Sequence, residues 1–132
     1  MLRILEQKNF TAYQNQIQNL NLPEPAELHL SEALDDENAV KGWILYAYQP
    51  ERIVIYSLDD GNDWNYCDGL VRSVLFKAQL RGIEKAVFEI ADQTVFARLK
   101  TLGFVKNDNK ILENISEVME NCKKCKENPA NT

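Results

Sequence analysis

The chain has 132 residues, 45% of them hydrophobic, and a formal net charge of -5 at pH 7. This length and composition predict one domain with a packed core. The negative net charge argues against a protein that binds nucleic acid or an anionic membrane. The sequence shows neither an apolar run of about 20 residues nor a signal-peptide core, so we expect a cytoplasmic protein.

The first part of the chain predicts a helix followed by three strands. Four apolar residues recur at helical spacing: Phe10, Tyr13, Ile17 and Leu20. The prolines of "NLPEPAE" end this helix, and "AELHLSEAL", "VKGWILYAY" and "RIVIYSL" predict three strands in an antiparallel meander. The third strand (Arg52 to Leu58) is apolar on both faces, which is typical of a buried central strand.

A polar loop follows this strand and leads into a long helix. Six residues of the helix share an apolar face: Cys67, Leu70, Val71, Val74, Leu75 and Ala78. Asn62, Asp63 or Asn65 is the expected N-cap, and Gly82 is expected to end the helix. "KAVFEI" (Lys85 to Ile90) predicts another buried strand, so strand, helix and strand should form a right-handed parallel crossover.

The remaining segments predict a short helix, a hairpin or strand, and a last helix. Asp92 is the expected N-cap of the short helix, and Gly103 is expected to end it. Its inward residues are Val95, Phe96, Leu99 and Leu102. "FVKNDNKIL" then predicts a strand or hairpin, and "ISEVMENCKKCKE" predicts a helix. We therefore divide the chain into a domain over residues 1–113 and a C-terminal helix with a flexible tail over residues 114–132.

The three cysteines do not predict a disulfide framework. Cys122 and Cys125 form a single C-x-x-C motif in a lysine-rich tail. A structural zinc site needs four ligands, and the chain offers only Cys67 and His29 besides these two. We expect no metal, free thiols in a solvated tail, and a histidine on a strand surface, with a metal or redox role for the motif as the alternative.

The order of these elements resembles the GNAT N-acetyltransferase superfamily. "ARLKTLGF" looks like the helix of that family that ends in leucine-tyrosine-x-x-leucine-glycine-phenylalanine, and the spacing from the central strand to "RGIEKAVFEI" is also similar. The resemblance runs from about Phe10 to Leu112. It implies an α/β (α+β) fold with a single mixed, mostly antiparallel sheet and flanking helices, and acetyl-coenzyme A (acetyl-CoA) as the cofactor.

In the family, the loop before the crossover helix reads Gln/Arg-x-x-Gly-x-Gly/Ala, and its backbone amides hold the cofactor's pyrophosphate. This motif falls on residues 62–67 here and differs at its three signature positions, which are Asn62, Asn65 and Cys67. Nearby aspartates oppose a polyanionic ligand. The cofactor-binding positions that the resemblance implies are Ser57 and Leu58 for the pantetheine and Asn65, Tyr66, Cys67, Asp68 and Gly69 for the pyrophosphate.

The resemblance also suggests where catalytic groups should lie. The family often uses a tyrosine on the last helix as general acid, and Leu99 stands at that position, so this acid is absent. Glu51 matches the spacing of a base used by one branch, and Tyr56 and Glu89 are alternatives. For each of the three, an ordinary turn or sheet residue is the competing interpretation.

Two functions follow from this resemblance. The first is an acyl-CoA-dependent N-acetyltransferase that transfers an acetyl group to an unknown amine, either a small molecule or a protein. The second is a catalytically degenerate binding or regulatory module of the same fold, and a thiol-dependent sensor using Cys67, or Cys122 with Cys125, is a third hypothesis. We expect no nucleic-acid or membrane partner, and a homodimer is left open.

Overall fold

A computed structural model of the chain describes residues 3–20, 27–106 and 109–120. Its strands are β1 (Arg3–Gln7), β2 (Glu27–Leu34), β3 (Val40–Tyr48), β4 (Arg52–Asp59), β5 (Lys85–Phe88) and β6 (Ile111–Leu112). Its helices are α1 (Gln14–Gln18), preceded by a 3-10 turn (Thr11–Tyr13), α2 (Trp64–Leu80) and α3 (Gln93–Leu102), and residues 115–120 are also helical. In these ranges no helix is long and apolar enough to cross a bilayer.

The six strands form one sheet in the order of the chain, β1-β2-β3-β4-β5-β6. The β4–β5 pair is parallel and every other pair is antiparallel, which confirms the mixed, mostly antiparallel sheet and the meander of β2, β3 and β4. Strand β1 was not predicted from the sequence. Its residues do not alternate between apolar and polar, and the segment becomes a strand because it pairs with β2 along its whole length, from Arg3 opposite Leu34 to Gln7 opposite Leu30.

Helix α2 packs on one face of the sheet and carries the main core. The six apolar residues predicted for its inner face are all fully buried. Asp63 is the N-cap, and its side chain accepts hydrogen bonds from the backbone N–H groups of Asn65 and Tyr66. Gly82 follows the helix with a φ of +76°, a conformation that glycine adopts without strain. Helix α3 begins after Asp92, its N-cap, and ends at Gly103, its C-cap in the left-handed conformation, as predicted.

The opposite face of the sheet is covered by α1 and the turn before it. Tyr13, Leu30 and Leu45 form a second, smaller core there, with Trp43 packed against it. The predicted N-terminal helix is therefore present but short, because only the 3-10 turn and five residues of α1 are helical. The sheet consequently lies between two layers, α2 with α3 on one side and α1 on the other.

The C-terminal part of the described chain closes the sheet. Strand β6 has two residues and pairs with β5, and Lys106 and Asn109 form an isolated antiparallel bridge where a strand or hairpin was predicted. Ile115 is fully buried in the main core, so the helical residues 115–120 pack against the sheet layer. Cys122 and Cys125 lie outside the described residues, and the predictions about them stay predictions.

Candidate functional site

A cleft opens where the two parallel strands separate. β4 and β5 are paired from Arg52 opposite Lys85 to Ile55 opposite Phe88, and the Glu89 N–H then donates to the Ile55 carbonyl oxygen at 2.8 Å. In the described part of the chain, no strand pairs with this edge of β4 beyond that bond. The cleft measures about 640 Å³ and is lined by Tyr56, Ser57, Leu58, Glu89, Ile90 and residues of α1.

Tyr56 enters the cleft from a β-bulge. Leu45 of β3 lies opposite Ser57, whereas the next residue, Tyr46, lies opposite Ile55, so Tyr56 is the extra residue on β4. A bulge bends its strand and redirects a side chain, and bulges occur often beside active sites. The irregularity thus lies at the point where β4 leaves β5.

Tyr56 and Glu89 bring two ionisable groups to this cleft. Burial raises the pKa of Tyr56, and the negative charge of Glu89 raises it further. The Glu89 carboxylate is half exposed and lies 3.9 Å from the ammonium group of Lys110. The cleft therefore combines a phenol that keeps its proton at neutral pH with an accessible carboxylate.

The wall opposite the strands comes from α1 and the residues directly after it. Gln16 and Asn19 line this wall, and the side-chain oxygen of Gln16 is buried without a hydrogen-bond partner among the described residues. A buried acceptor with no donor costs free energy, so this oxygen favours a ligand that brings an N–H group.

Glu51 does not line the cleft, although its neighbours Gln49 and Arg52 do. It is exposed in the turn between β3 and β4, beside a shallow depression that Pro50 and Lys85 also line. Of the three predicted catalytic residues, Tyr56 and Glu89 therefore line one cleft, and Glu51 is outside its lining.

The loop between β4 and α2 is stabilised by its own aspartates. The side chain of Asp59 accepts from the N–H of Gly61, and that of Asp60 accepts from the N–H of Asn62, each at 2.9 Å. The Asp63 carboxylate accepts from the N–H groups of Asn65 and Tyr66 at 2.8 and 3.3 Å. The Asn65 and Tyr66 N–H groups are among those that an anion at the start of α2 would use.

Arg98 of α3 contacts this loop and holds two of its side chains. Its guanidinium group forms a buried ion pair with Asp60 and donates to the side-chain oxygen of Asn62 at 3.2 Å. The same group lies 5.8 Å from the centre of the Trp64 ring. The hydrogen bond to the Asp60 carboxylate raises the pKa of Arg98. The arginine thus stabilises the loop through an internal carboxylate.

The other three positions predicted to bind the pyrophosphate, Cys67, Asp68 and Gly69, lie inside α2. Cys67 is fully buried, and burial together with the charge of Asp60 raises the pKa of its thiol to about 12. This is the opposite of a reactive thiol, which needs exposure and a low pKa. Asp68 pairs with Arg72 at 2.8 Å, and Gly69 lies in the second turn, where helical N–H groups donate to carbonyls one turn earlier.

Three residues of the site were absent from the sequence interpretation. Gln16 and Asn19 carry no local signal, because their position depends on how α1 packs across the sheet. Arg98 did carry a signal, since it follows Val95 by three residues and therefore lies on the inward stripe of α3. Leu99 is fully buried core, as predicted.

The described residues fit one part of acetyl-CoA and not another. The cleft beside Ser57 and Leu58 offers an unpaired strand edge to an extended arm with amide groups. The loop does not fit a pyrophosphate in this arrangement, because its N–H groups at Asn65 and Tyr66 already donate to Asp63.

Comparison with known proteins gives a likeness in fold. No family model matches the sequence, and no curated protein matches it. A solved structure described as "Putative acetyl transferase from Pyrococcus furiosus" matches with a TM-score of 0.56 and 14% sequence identity, over 81% of this chain and 95% of that one. The chain therefore has an α+β fold, a mostly antiparallel six-stranded sheet with flanking helices, like that of this acetyltransferase-type neighbour.

Proposed function

We propose that the protein is an N-acyltransferase that holds an acyl thioester in the cleft between β4 and β5 and passes the acyl group to an amine. The observation that carries this proposal is the separation of the two parallel strands after Ile55 and Phe88. It opens a strand edge next to two ionisable side chains, Tyr56 and Glu89. The fold of the acetyltransferase-type neighbour supports the same reaction class.

Ser57 and Leu58 would hold the donor. A pantetheine arm carries two amides, and an extended arm beside β4 would complete its edge as an added strand does. Both residues line the cleft, and Leu58 also belongs to the main core, so this part of β4 is firmly held. The thioester, when bound, supplies an activated acyl group, and acetyl-CoA is the donor that the family resemblance implies.

Glu89 and Tyr56 would act as the general base and the general acid of the reaction. Glu89 is accessible at the cleft and can accept a proton from the attacking amine. Tyr56 keeps its proton at neutral pH because its pKa is raised by burial. It can therefore act as the general acid that protonates the thiolate released when the amine attacks the thioester carbonyl and the C–S bond breaks. The buried oxygen of Gln16 would accept an N–H group of the amine or of the donor arm and so orient it.

Transfer of acetyl groups to a panel of small amines and peptides tests the proposal. The released thiol would be measured for the wild type and for Tyr56→Phe, Glu89→Gln and Glu51→Gln. We expect the Tyr56 and Glu89 substitutions to lower turnover by about 100-fold while the donor still binds. Equal loss in Glu51→Gln would move the base to that residue, and full activity of Tyr56→Phe and Glu89→Gln would refute their roles.

A non-catalytic module of the same fold is the second candidate. It is favoured by Leu99, which is buried core at the position where the family carries a tyrosine. Such a module would bind a pantetheine thioester and raise the melting temperature, but would release no thiol with any amine. At 100 times its dissociation constant the thioester should add about 2.7 kcal/mol to the free energy of unfolding.

A further inference from the structure

The start of α2 carries aspartate side chains where a phosphate would have to bind. Asp63 accepts from the N–H groups of Asn65 and Tyr66, and the N–H of Cys67 donates to the Asp63 carbonyl oxygen. Asp60 accepts from the N–H of Asn62 in the same loop. A phosphate at this position would have to displace the Asp63 carboxylate and then lie beside it.

The loop is also closely packed at Gly61 and rich in negative charge. Four aspartates fall within residues 59–68, and two of them, Asp60 and Asp68, are paired with arginines. Gly61 has a φ of +62°, and a Cβ atom there would lie 2.5 Å from the carbonyl oxygen of Lys41, so the loop is packed closely against its neighbour. The aspartates thus outnumber the arginines that pair with them.

The adjacent cleft has a different lining. Arg52, Glu89 and Asp92 bring both signs of charge to it, and Ser57, Leu58 and Ile90 form an uncharged stretch of its wall. The buried side-chain oxygen of Gln16 has no hydrogen-bond donor among the described residues. A pantetheine arm, which is uncharged and carries two N–H groups, fits these features. The pyrophosphate of CoA does not fit the loop, because the N–H groups of Asn65 and Tyr66 already donate to Asp63.

From this contrast we infer that the protein takes its acyl group from a pantetheine thioester without recognising a nucleotide. The inference rests on the proposed function, because it concerns the donor of the same cleft. The chemical class is an acyl thioester of a pantetheine arm whose far end contributes nothing to binding. CoA would be accepted weakly, as a pantetheine with an unfavourable charged extension.

Calorimetric titration of the full chain with three probes tests this inference. The probes are S-acetyl-pantetheine, its 4′-phosphate and acetyl-CoA, each at low and at high salt. We expect S-acetyl-pantetheine to bind at least as tightly as acetyl-CoA, with a difference of about threefold at low salt that shrinks as salt screens the repulsion. The phosphorylated arm should fall between them, which separates an effect of one phosphate from that of the nucleotide.

An uncharged N-cap residue at position 63 tests whether the loop causes the weaker binding of acetyl-CoA. Asp63→Asn keeps a good N-cap residue while removing the carboxylate charge. It should tighten acetyl-CoA by about threefold and leave S-acetyl-pantetheine unchanged. The matched control is Glu113→Gln, an exposed carboxylate next to Lys85 at the other end of β5, which should change neither affinity.

The outcomes separate the two proposals. Tighter binding of acetyl-CoA than of S-acetyl-pantetheine in the wild type would overturn the inference and leave the acyltransferase proposal standing. Absence of binding for all three probes would refute the acyltransferase proposal itself. Equal changes in Asp63→Asn and Glu113→Gln would assign the effect to overall charge and overturn the role of the loop.

Discussion

Replacing Arg98 by methionine should destabilise the protein far more than the same replacement of Lys100 on the same helix. Arg98 is 8% exposed and its partner Asp60 is 2% exposed, so the ion pair between them is largely shielded from water. Methionine has a similar length and no charge. The substitution therefore leaves a buried carboxylate with the backbone N–H of Asn62 as a remaining donor.

The expected loss follows from the cost of an unpaired buried charge. Removing one partner of a buried ion pair typically costs about 3–5 kcal/mol. With an unfolding entropy of about 2.1 cal/mol/K per residue, a chain of this length would lose about 11–18 °C in melting temperature. Lys100 is exposed, so its replacement should change the free energy of unfolding by no more than about 0.5 kcal/mol.

Urea unfolding followed by circular dichroism measures these differences. The double variant Asp60→Asn, Arg98→Met should be more stable than Arg98→Met alone, because it removes the uncompensated charge and keeps an oxygen that accepts the Asn62 N–H. Two results would refute the reasoning: an Arg98→Met protein as stable as Lys100→Met, or a double variant less stable than the single one.

Three further predictions concern other ionisable groups. The hydrogen bond from Lys77 is the main cause that lowers the pKa of Glu6 from 4.5 to about 2. The ionised Glu6 therefore stabilises the folded protein, by at most about 1 kcal/mol because the group is exposed. This stabilisation is present above pH 4.5 and is lost as the pH falls towards 2. Glu6→Gln should lose this pH dependence in urea unfolding at pH 6 and pH 3, and an unchanged dependence would contradict it. In a Cys122→Ser, Cys125→Ser variant, Cys67 is the only thiol left. Because Cys67 is buried and its pKa is raised, it should react with a thiol reagent only as fast as the protein unfolds. Rapid labelling of the folded protein would show that the thiol is accessible and contradict this prediction. Metal analysis of the wild type should find no stoichiometric zinc, and one zinc per chain would overturn that expectation.

The elements that could be predicted from sequence are those whose signal is local. The apolar face of α2, the caps at Asp63 and Asp92 and the left-handed glycines after α2 and α3 each depend on residues a few positions apart. Strand β1 could not be predicted, because its partner β2 lies more than twenty residues away in the chain. Its conformation follows from pairing rather than from its own pattern.

The site was predictable to a smaller extent for the same reason. Tyr56 and Glu89 could be named as candidates because they lie on or just after strands that the hydrophobic pattern identifies. That these two residues share a cleft, and that Glu51 does not, depends on where β4 and β5 separate. The role of Asp63 in filling the start of α2 depends on its side-chain conformation, which the residue type permits but does not impose.

The agreement between strand order in the sheet and strand order in the chain has a consequence for folding during synthesis. Strands β1 to β4 are antiparallel neighbours, and each can pair with its predecessor as soon as it is complete. β4 is different, because its other neighbour arrives only after the 17 residues of α2. Until then a strand with an apolar sequence presents an open edge, the kind of edge that pairs with other chains. The ribosome-bound chain should therefore be most prone to aggregation while α2 is being made.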